Sequence, residues 1–232
     1  MIDGPEVTAV LYSGGLDSAV LVASEARRLA VQPMYVSVGL AWEAEEVALA
    51  ERLLKTPAFG AVVRPLQRLS VTVTDVFPEM HWAIRGAPPA YDTPDEDVYL
   101  PGRNLLLLAK AAVACAAGGI HRIAIGPLAG NPFPDATPAF FASMAASASL
   151  ALAHDLTIAA PFGAMHKADV IRLGSELGVP FALTMSCMNP RSGLHCGVCS
   201  KCRERRDGFE EAGIHDPTSY AAPSPRLRTS GA

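Results

Sequence analysis

Two groups of residues in this chain have the types and spacing that chemistry needs. The first is Ser13-Gly14-Gly15-Leu16-Asp17-Ser18, preceded by Tyr12 at the end of an apolar run. Paired glycines tolerate positive φ and let backbone amides come close to an anion. A helix starting near Asp17 adds unpaired amides and the positive end of its dipole. Ser13 and Ser18 can donate to phosphate oxygens, whereas Asp17 repels phosphate unless a cation such as Mg2+ intervenes. No Gly-Lys-Ser/Thr follows, which excludes the usual nucleotide P-loop. An ordinary tight turn with Ser and Asp capping the helix fits the same residues. The second group is Cys187, Cys196, Cys199 and Cys202, spaced C-x8-C-x2-C-x2-C. Four thiolates fill a tetrahedral Zn2+ shell and leave no open position, so the implied role is structural. An iron–sulfur cluster and a redox pair of Cys199 and Cys202 are the rival readings. The fifth cysteine, Cys115, sits in an Ala-Val-Ala-Cys-Ala-Ala run and reads as a small buried hydrophobe.

The elements that must hold these groups alternate. Val7 to Tyr12 has the β-branched, apolar character of a central parallel strand. A helix is expected from Asp17 to Leu29, a strand from Pro33 to Val38, a helix from Glu43 to Leu54 and a third strand from Ala61 to Pro65. This βαβαβ order predicts an α/β fold, a parallel twisted sheet with helices on both faces. The Ser13–Ser18 turn then falls at the carboxyl end of the first strand, where such sheets bind ligands. Gln67 to Leu100 breaks the pattern with Pro78, Pro88, Pro89, Pro94 and an acidic cluster, and reads as a lid or binding loop. Helices are expected again over Asn104–Ala117, from Pro138 to His154, over Lys167–Leu177 and over Arg203–Ala212, with a strand at Ile120–Gly126. The expected division is an α/β domain over 1–180, a zinc-binding segment packed on it over 181–220 and a flexible tail over 221–232.

The chain has 232 residues, half of them apolar, and 18% charged residues, as expected of a globular protein able to bury a core without disulfides. Its net charge of -4 provides no general grip on nucleic acid. The N-terminus MIDGPEVTAVLYS lacks the basic and apolar regions of a signal peptide. No apolar stretch reaches the roughly 20 residues a membrane span needs. The expectation is a cytoplasmic protein acting on small molecules, without a stable nucleic-acid or membrane partner.

The hexapeptide after an N-terminal strand resembles the PP-loop of N-type ATP pyrophosphatases, which cleave ATP between the α and β phosphates and transfer AMP to a carboxylate or carbonyl oxygen. Together with the cysteines, the chain resembles the 7-cyano-7-deazaguanine synthase family of adenine nucleotide alpha hydrolase-like fold. Three further segments carry the likeness: Leu100-Pro101-Gly102-Arg103-Asn104 before an apolar helix, Lys167-Ala168-Asp169-Val170, and the run Cys196-Gly197-Val198-Cys199-Ser200-Lys201-Cys202 that continues through Arg206-Asp207-Gly208-Phe209. The resemblance implies ATP with Mg2+, ammonia and 7-carboxy-7-deazaguanine as substrates, and a homodimer. The carboxylate would be adenylated, displaced to an amide, activated again and dehydrated to a nitrile. By the same resemblance Tyr12 to Ser18 hold the pyrophosphate end of ATP, and Asp17, Arg103 and Lys167 carry catalysis. Arg103 would clamp a phosphate or the substrate carboxylate, or else form a salt bridge at the helix start. Lys167 would reach a phosphate, or else be a solvated surface lysine. Asn104 would cap the helix or join the substrate contacts.

The chain departs from the family at Val38-Gly39-Leu40-Ala41-Trp42, where Tyr-Gly-Gln is usual. It departs again at Gly130-Asn131-Pro132-Phe133-Pro134-Asp135-Ala136, where Ser-Gly-Tyr-Pro-Asp-Cys is usual. Phe133 can still stack on a flat heterocycle, and Asp135 can still accept from a purine-like edge or serve as a turn residue. Alternative acceptors are another heterocyclic carboxylate or a protein-terminal one. Further readings are a tRNA-thiolating enzyme and a non-catalytic zinc-binding module.

Overall fold

The computed structural model describes residues 6–225. The N-terminal residues 1–5 and the end of the expected tail, 226–232, lie outside the described residues.

Five parallel strands form one sheet in the order β3-β2-β1-β4-β5: β1 (Val7–Leu11), β2 (Ala30–Ser37), β3 (Gln67–Ser70), β4 (Arg122–Ala124) and β5 (Thr157–Ala159). The helices are α1 (Leu16–Glu25), α2 (Glu43–Leu54), α3 (Trp82–Arg85), α4 (Arg103–Gly118), α5 (Pro138–Leu152), α6 (Lys167–Glu176) and α7 (Ser200–Ala212). The period of two along β1 sorts its side chains between two cores. Val10 packs with α1, α2, α6 and α7 on one face. Ala9 and Leu11 pack with α4 and α5 on the other. The α/β sheet with helices on both faces is therefore the observed fold. Its strand order reverses beside β1, so β1 and β4 diverge at their carboxyl ends into a crevice.

Three expectations need correcting. The third strand is not Ala61–Pro65: Val63 makes a single bridge to Val31, and the ladder resumes only at Gln67 opposite Met34. Pro33 and Pro65 lack the N–H groups that would continue the ladder between these points. Gln32 fills the gap, its side-chain amide donating to the carbonyls of Pro33 (3.1 Å) and Pro65 (2.9 Å). Thr157–Ala159 is a strand that periodicity does not reveal, because three residues are too few to show alternation. The tail expected from residue 221 is anchored over 221–225: Ala221 donates its N–H to the His195 carbonyl at 2.8 Å. Ser224 Oγ bonds the Tyr91 hydroxyl at 3.1 Å.

The irregular stretch after β3 builds a small core of its own. Val73, Ala83, Val98 and Leu100 close over Val38, Leu40 and Trp42, and the Trp42 and Trp82 rings stack 5.8 Å apart. Glu43 shapes the loop leading to Trp42, accepting from the N–H groups of Val38 (2.9 Å) and Gly39 (3.2 Å). Cys115 is fully buried against α4 and α5 neighbours, and burial pushes its thiol up to about 12, the state of a packing residue and not of a nucleophile. No helix among the described residues is long and apolar enough to cross a membrane.

Candidate functional site

A cleft of about 340 Å3 opens at the carboxyl ends of β1, β2 and β4. Tyr12, Ser13, Gly15, Leu16, Asp17, Ser18, Arg103, Asn104, Phe133, Asp135 and Lys167 all line it. Asp17 and Lys167, 150 positions apart in sequence, are thereby brought to one wall.

The Ser13–Ser18 turn closes on itself. Ser18 Oγ donates to the Gly15 carbonyl (3.0 Å) and accepts from the Ser13 N–H (3.2 Å), while Ser13 Oγ accepts from the Gly15 N–H (3.2 Å). Gly14 lies beneath the turn with φ at +77°, and a Cβ there would come within 2.8 Å of the Ala50 Cβ. Both its conformation and its contact therefore demand glycine. Tyr12 anchors the strand end by donating to the Ala50 carbonyl at 3.1 Å, and burial holds its phenol well above its usual range.

Asp17 points from the first turn of α1 toward α6. Its Oδ2 accepts from Lys167 Nζ at 2.5 Å, and its Oδ1 is buried with no hydrogen-bond partner. Lys167 also pairs with Glu204 at 2.8 Å, and Glu204 pairs with Lys201 at 2.5 Å. Lys167 is thus no solvated surface lysine. Burial works against its charge, but Asp17 and Glu204 outweigh burial and raise its pKa. For Glu204 burial is likewise overcome by Lys167 and Lys201, which hold the carboxyl far below its usual range. The result is a line of alternating charge, Asp17–Lys167–Glu204–Lys201, along the cleft wall.

Arg103 opens α4, and its Nε is buried without a hydrogen-bond partner. Among the described residues it makes no salt bridge, so the helix-start ion pair is absent. Asn104 does not cap α4 either: the N-cap position is Gly102, which offers no side chain. The cap comes from Asp135, whose Oδ2 accepts from the Asn104 N–H at 2.9 Å. The Asn104 amide donates to the Asp135 carbonyl at 3.1 Å. The carboxylate expected to read a substrate edge is therefore occupied in holding a helix start, where its charge also complements the dipole. Asp135→Ala should cost roughly 0.5–2 kcal/mol of stability, measured by urea unfolding. A variant as stable as the parent would remove the capping role. Phe133 stacks on Tyr99 with ring centroids 5.0 Å apart, and the pair forms one flat wall of the cleft.

Tyr35, Glu46, Trp82 and Tyr99 line the cleft without a motif that points to them, whereas Trp42 comes from the segment that departs from the family and Ser186, Lys201, Glu204 and Arg205 come from the cysteine-bearing segments. Tyr35 donates to Glu46 Oε2 at 2.8 Å. Arg205 is fully buried and donates to Thr218 Oγ1 (2.6 Å), Thr184 Oγ1 (2.8 Å), the Phe181 carbonyl (2.8 Å) and Ser186 Oγ (3.1 Å). A buried guanidinium persists only when its donors are satisfied in this way.

The four cysteines lie just behind this wall, with their sulfurs all within 4.8 Å of one another. The separations Cys199–Cys202 (3.5 Å) and Cys196–Cys202 (3.9 Å) match the roughly 3.8 Å sulfur spacing of a tetrahedron with bonds of about 2.3 Å. Backbone N–H groups of Asn189 and Cys196 donate to Cys187 Sγ, and that of Val198 to Cys196 Sγ, at 3.2–3.4 Å. Gly197, at φ +83°, passes so close to Ala222 that a Cβ would overlap its carbonyl oxygen. This cluster can hold a metal ion. It also connects directly to the cleft, because Cys199 precedes α7 and Cys202 lies on it, beside Lys201, Glu204 and Arg205. His195, next to Cys196, accepts from the Ser186 N–H at 3.1 Å. Burial and the neighbouring Arg205 hold it neutral, with its pKa lowered to about 3.

Known proteins match the sequence along nearly the whole chain. A family model described as "Queuosine biosynthesis protein QueC" matches residues 7–213. A 7-cyano-7-deazaguanine synthase from Anaeromyxobacter dehalogenans is 34% identical over 226 residues, 91% of this chain and 94% of that protein. Proteins of the same name from Methanothrix thermoacetophila, 35% identical over 90% of this chain and 96% of theirs, and from Solidesulfovibrio magneticus, 33% identical over 94% and 97%, are similar as well. With a match from β1 to the end of α7 and full-length relatives above 30% identity, the chain belongs to the QueC family of queuosine biosynthesis proteins.

Proposed function

We propose that this protein is a 7-cyano-7-deazaguanine synthase, converting 7-carboxy-7-deazaguanine, ammonia and ATP to the nitrile through carboxylate adenylation. The observation that carries the reading is one cleft lined by the Ser13–Ser18 turn, the Asp17–Lys167–Glu204–Lys201 charge line, Arg103 and a wall of stacked aromatic rings. The names of the relatives supply the acceptor.

A carboxylate resists ammonia because its leaving group would be oxide. Attack of its oxygen on the α-phosphorus of ATP releases pyrophosphate and leaves an acyl adenylate. Ammonia then displaces AMP and gives the amide after losing a proton. A second ATP adenylates the amide oxygen, and departure of AMP with loss of two N–H protons leaves the nitrile. No protein nucleophile is required, so catalysis rests on positioning and on neutralising charge. The turn's hydroxyls and the first amides of α1 suit the pyrophosphate end. Lys167 and Lys201 are held where phosphate charge would gather, each already oriented by a carboxylate. Arg103, with its unpartnered Nε, suits a bidentate grip on a phosphate or carboxylate. Phe133 and Tyr99 offer a stacking surface to the heterocycle.

The orphaned Asp17 Oδ1 and the nearby serine hydroxyls fit Mg2+, which takes oxygen ligands and would screen ATP phosphates when bound. The four thiols behind the cleft fit structural Zn2+, which they would saturate.

The test is mass spectrometry on a reaction of purified protein, Mg-ATP, ammonium and 7-carboxy-7-deazaguanine. Nitrile together with AMP is expected. A folded, ATP-binding sample that forms neither would redirect the activation chemistry to a different carboxylate.

A further inference from the structure

The cleft is lined by four carboxylates, Asp17, Glu46, Asp135 and Glu204. Three have partners that account for them: Asp17 has Lys167, Glu204 has two lysines, and Asp135 has the start of α4. Glu46 stands apart. It is only 8% exposed, has no ion-pair partner among the described residues, and makes one hydrogen bond, from the Tyr35 hydroxyl to Oε2 at 2.8 Å. Among the described residues no hydrogen bond reaches its Oε1, and the residue lines the cleft.

Holding Tyr35 does not explain a carboxylate at this position. A neutral amide would accept the same phenol without the cost of burying a charge. The charged and titratable groups that face Glu46 are Tyr35 from β2, Glu43 from its own helix and Arg103 from α4. Burial pushes its carboxyl up to about 7, with Arg103 and Tyr35 acting in the opposite direction. Such a group is stabilised as an acceptor when a ligand brings two N–H donors to it. A guanine-type heterocycle has that pair on one edge, the ring N–H beside the exocyclic amine. The aromatic residues Trp42, Trp82, Tyr99 and Phe133, which line the same cleft, suit the faces of its flat ring.

We infer that Glu46, oriented by Tyr35, is the specificity residue for the acceptor, accepting the ring N–H and exocyclic amine of the deazapurine edge on its carboxylate. This rests on the deazapurine reading of the cleft and replaces Asp135 in the role of edge reader. Tyr35 is a positioning residue: its hydroxyl occupies one lone pair of Oε2 and sets the plane of the carboxylate.

The experiment is calorimetric titration of the full chain with 7-carboxy-7-deazaguanine and with the analogue lacking the exocyclic amine. The parent protein should bind the amino compound about 10- to 100-fold more tightly, the discrimination expected when a hydrogen bond to a buried charge is lost. Glu46→Gln should reduce that preference to within a factor of about 3, with ATP binding retained as the control for folding. Tyr35→Phe should weaken binding while keeping the preference. A parent protein that binds both compounds equally overturns the assignment while the deazapurine reading survives, and this arm needs no variant to fold. Glu46→Gln that still discriminates fully overturns it as well. A parent protein that binds neither compound, yet binds ATP, overturns the deazapurine reading and this inference with it.

Discussion

Asp17→Ala should reduce AMP formation by at least about 100- to 1000-fold, the scale on which a preorganised charge contributes to a phosphoryl or acyl transition state. The reasons are local. Asp17 has one oxygen committed to Lys167 at 2.5 Å and a second, buried oxygen with no partner in the cleft. Removing it frees Lys167 to turn wholly to Glu204, 2.8 Å away, and deletes the oxygen suited to a cation. Stability should change little. Lys167 keeps an anionic partner, and a first-turn acid on α1 is worth roughly 0.3–1 kcal/mol, which at this chain length lowers Tm by only a few degrees, about 2–4 °C per kcal/mol. AMP release and a thermal melt on the same sample check both halves. Turnover within a few-fold of the parent would remove Asp17 from the mechanism, and a collapse of Tm would make it a structural residue.

Metal removal should have the second large effect, and it should act on stability and turnover together. Purified protein is expected to carry about one zinc per chain. Cys199→Ser or chelation should destabilise the fold by on the order of 3 kcal/mol or more, because metal binding is coupled to folding. At this size that lowers Tm by roughly 6–12 °C. The coupling to turnover follows from α7: Cys199 is its N-cap and Cys202 lies in its first turn, while Lys201, Glu204 and Arg205 of the same helix line the cleft. Arg205 further ties α7 to Phe181, Thr184 and Ser186. Loosening that helix removes the carboxylate that orients Lys167. Full turnover in a metal-free sample would break this link, and an iron-rich, coloured preparation would overturn zinc as the ion.

Much of the site is legible in the chain because its parts are local. A turn of six residues after a strand sets its own geometry, so Ser13 to Ser18 read correctly as a loop facing a crevice. Closely spaced cysteines likewise converge through short connections, and their sulfurs do lie within 4.8 Å. Strand and helix order followed from alternation and period. The exceptions were strands near Pro33 and Pro65 and a three-residue strand at the sheet edge, where missing N–H groups or sheer brevity suppress the signal.

The roles of Asp135, Asn104 and Glu46 were not legible. Asp135 sits in a Pro-Asp turn that resembles a substrate loop, yet a contact across 31 positions makes it the cap of α4. Glu46 reads as one of three acids, Glu43, Glu45 and Glu46, at the start of its helix, with nothing in its neighbours to single it out. It becomes distinct because α2 packs it against Tyr35 and into the cleft. Amino-acid type and spacing were enough for the glycine-rich turn, the convergence of the four cysteines and the family, since each depends on a short stretch of backbone. Which carboxylate keeps a lysine, which caps a helix and which accepts only a tyrosine hydroxyl depended on long-range packing, because a charge acquires its role from the partner that burial forces upon it.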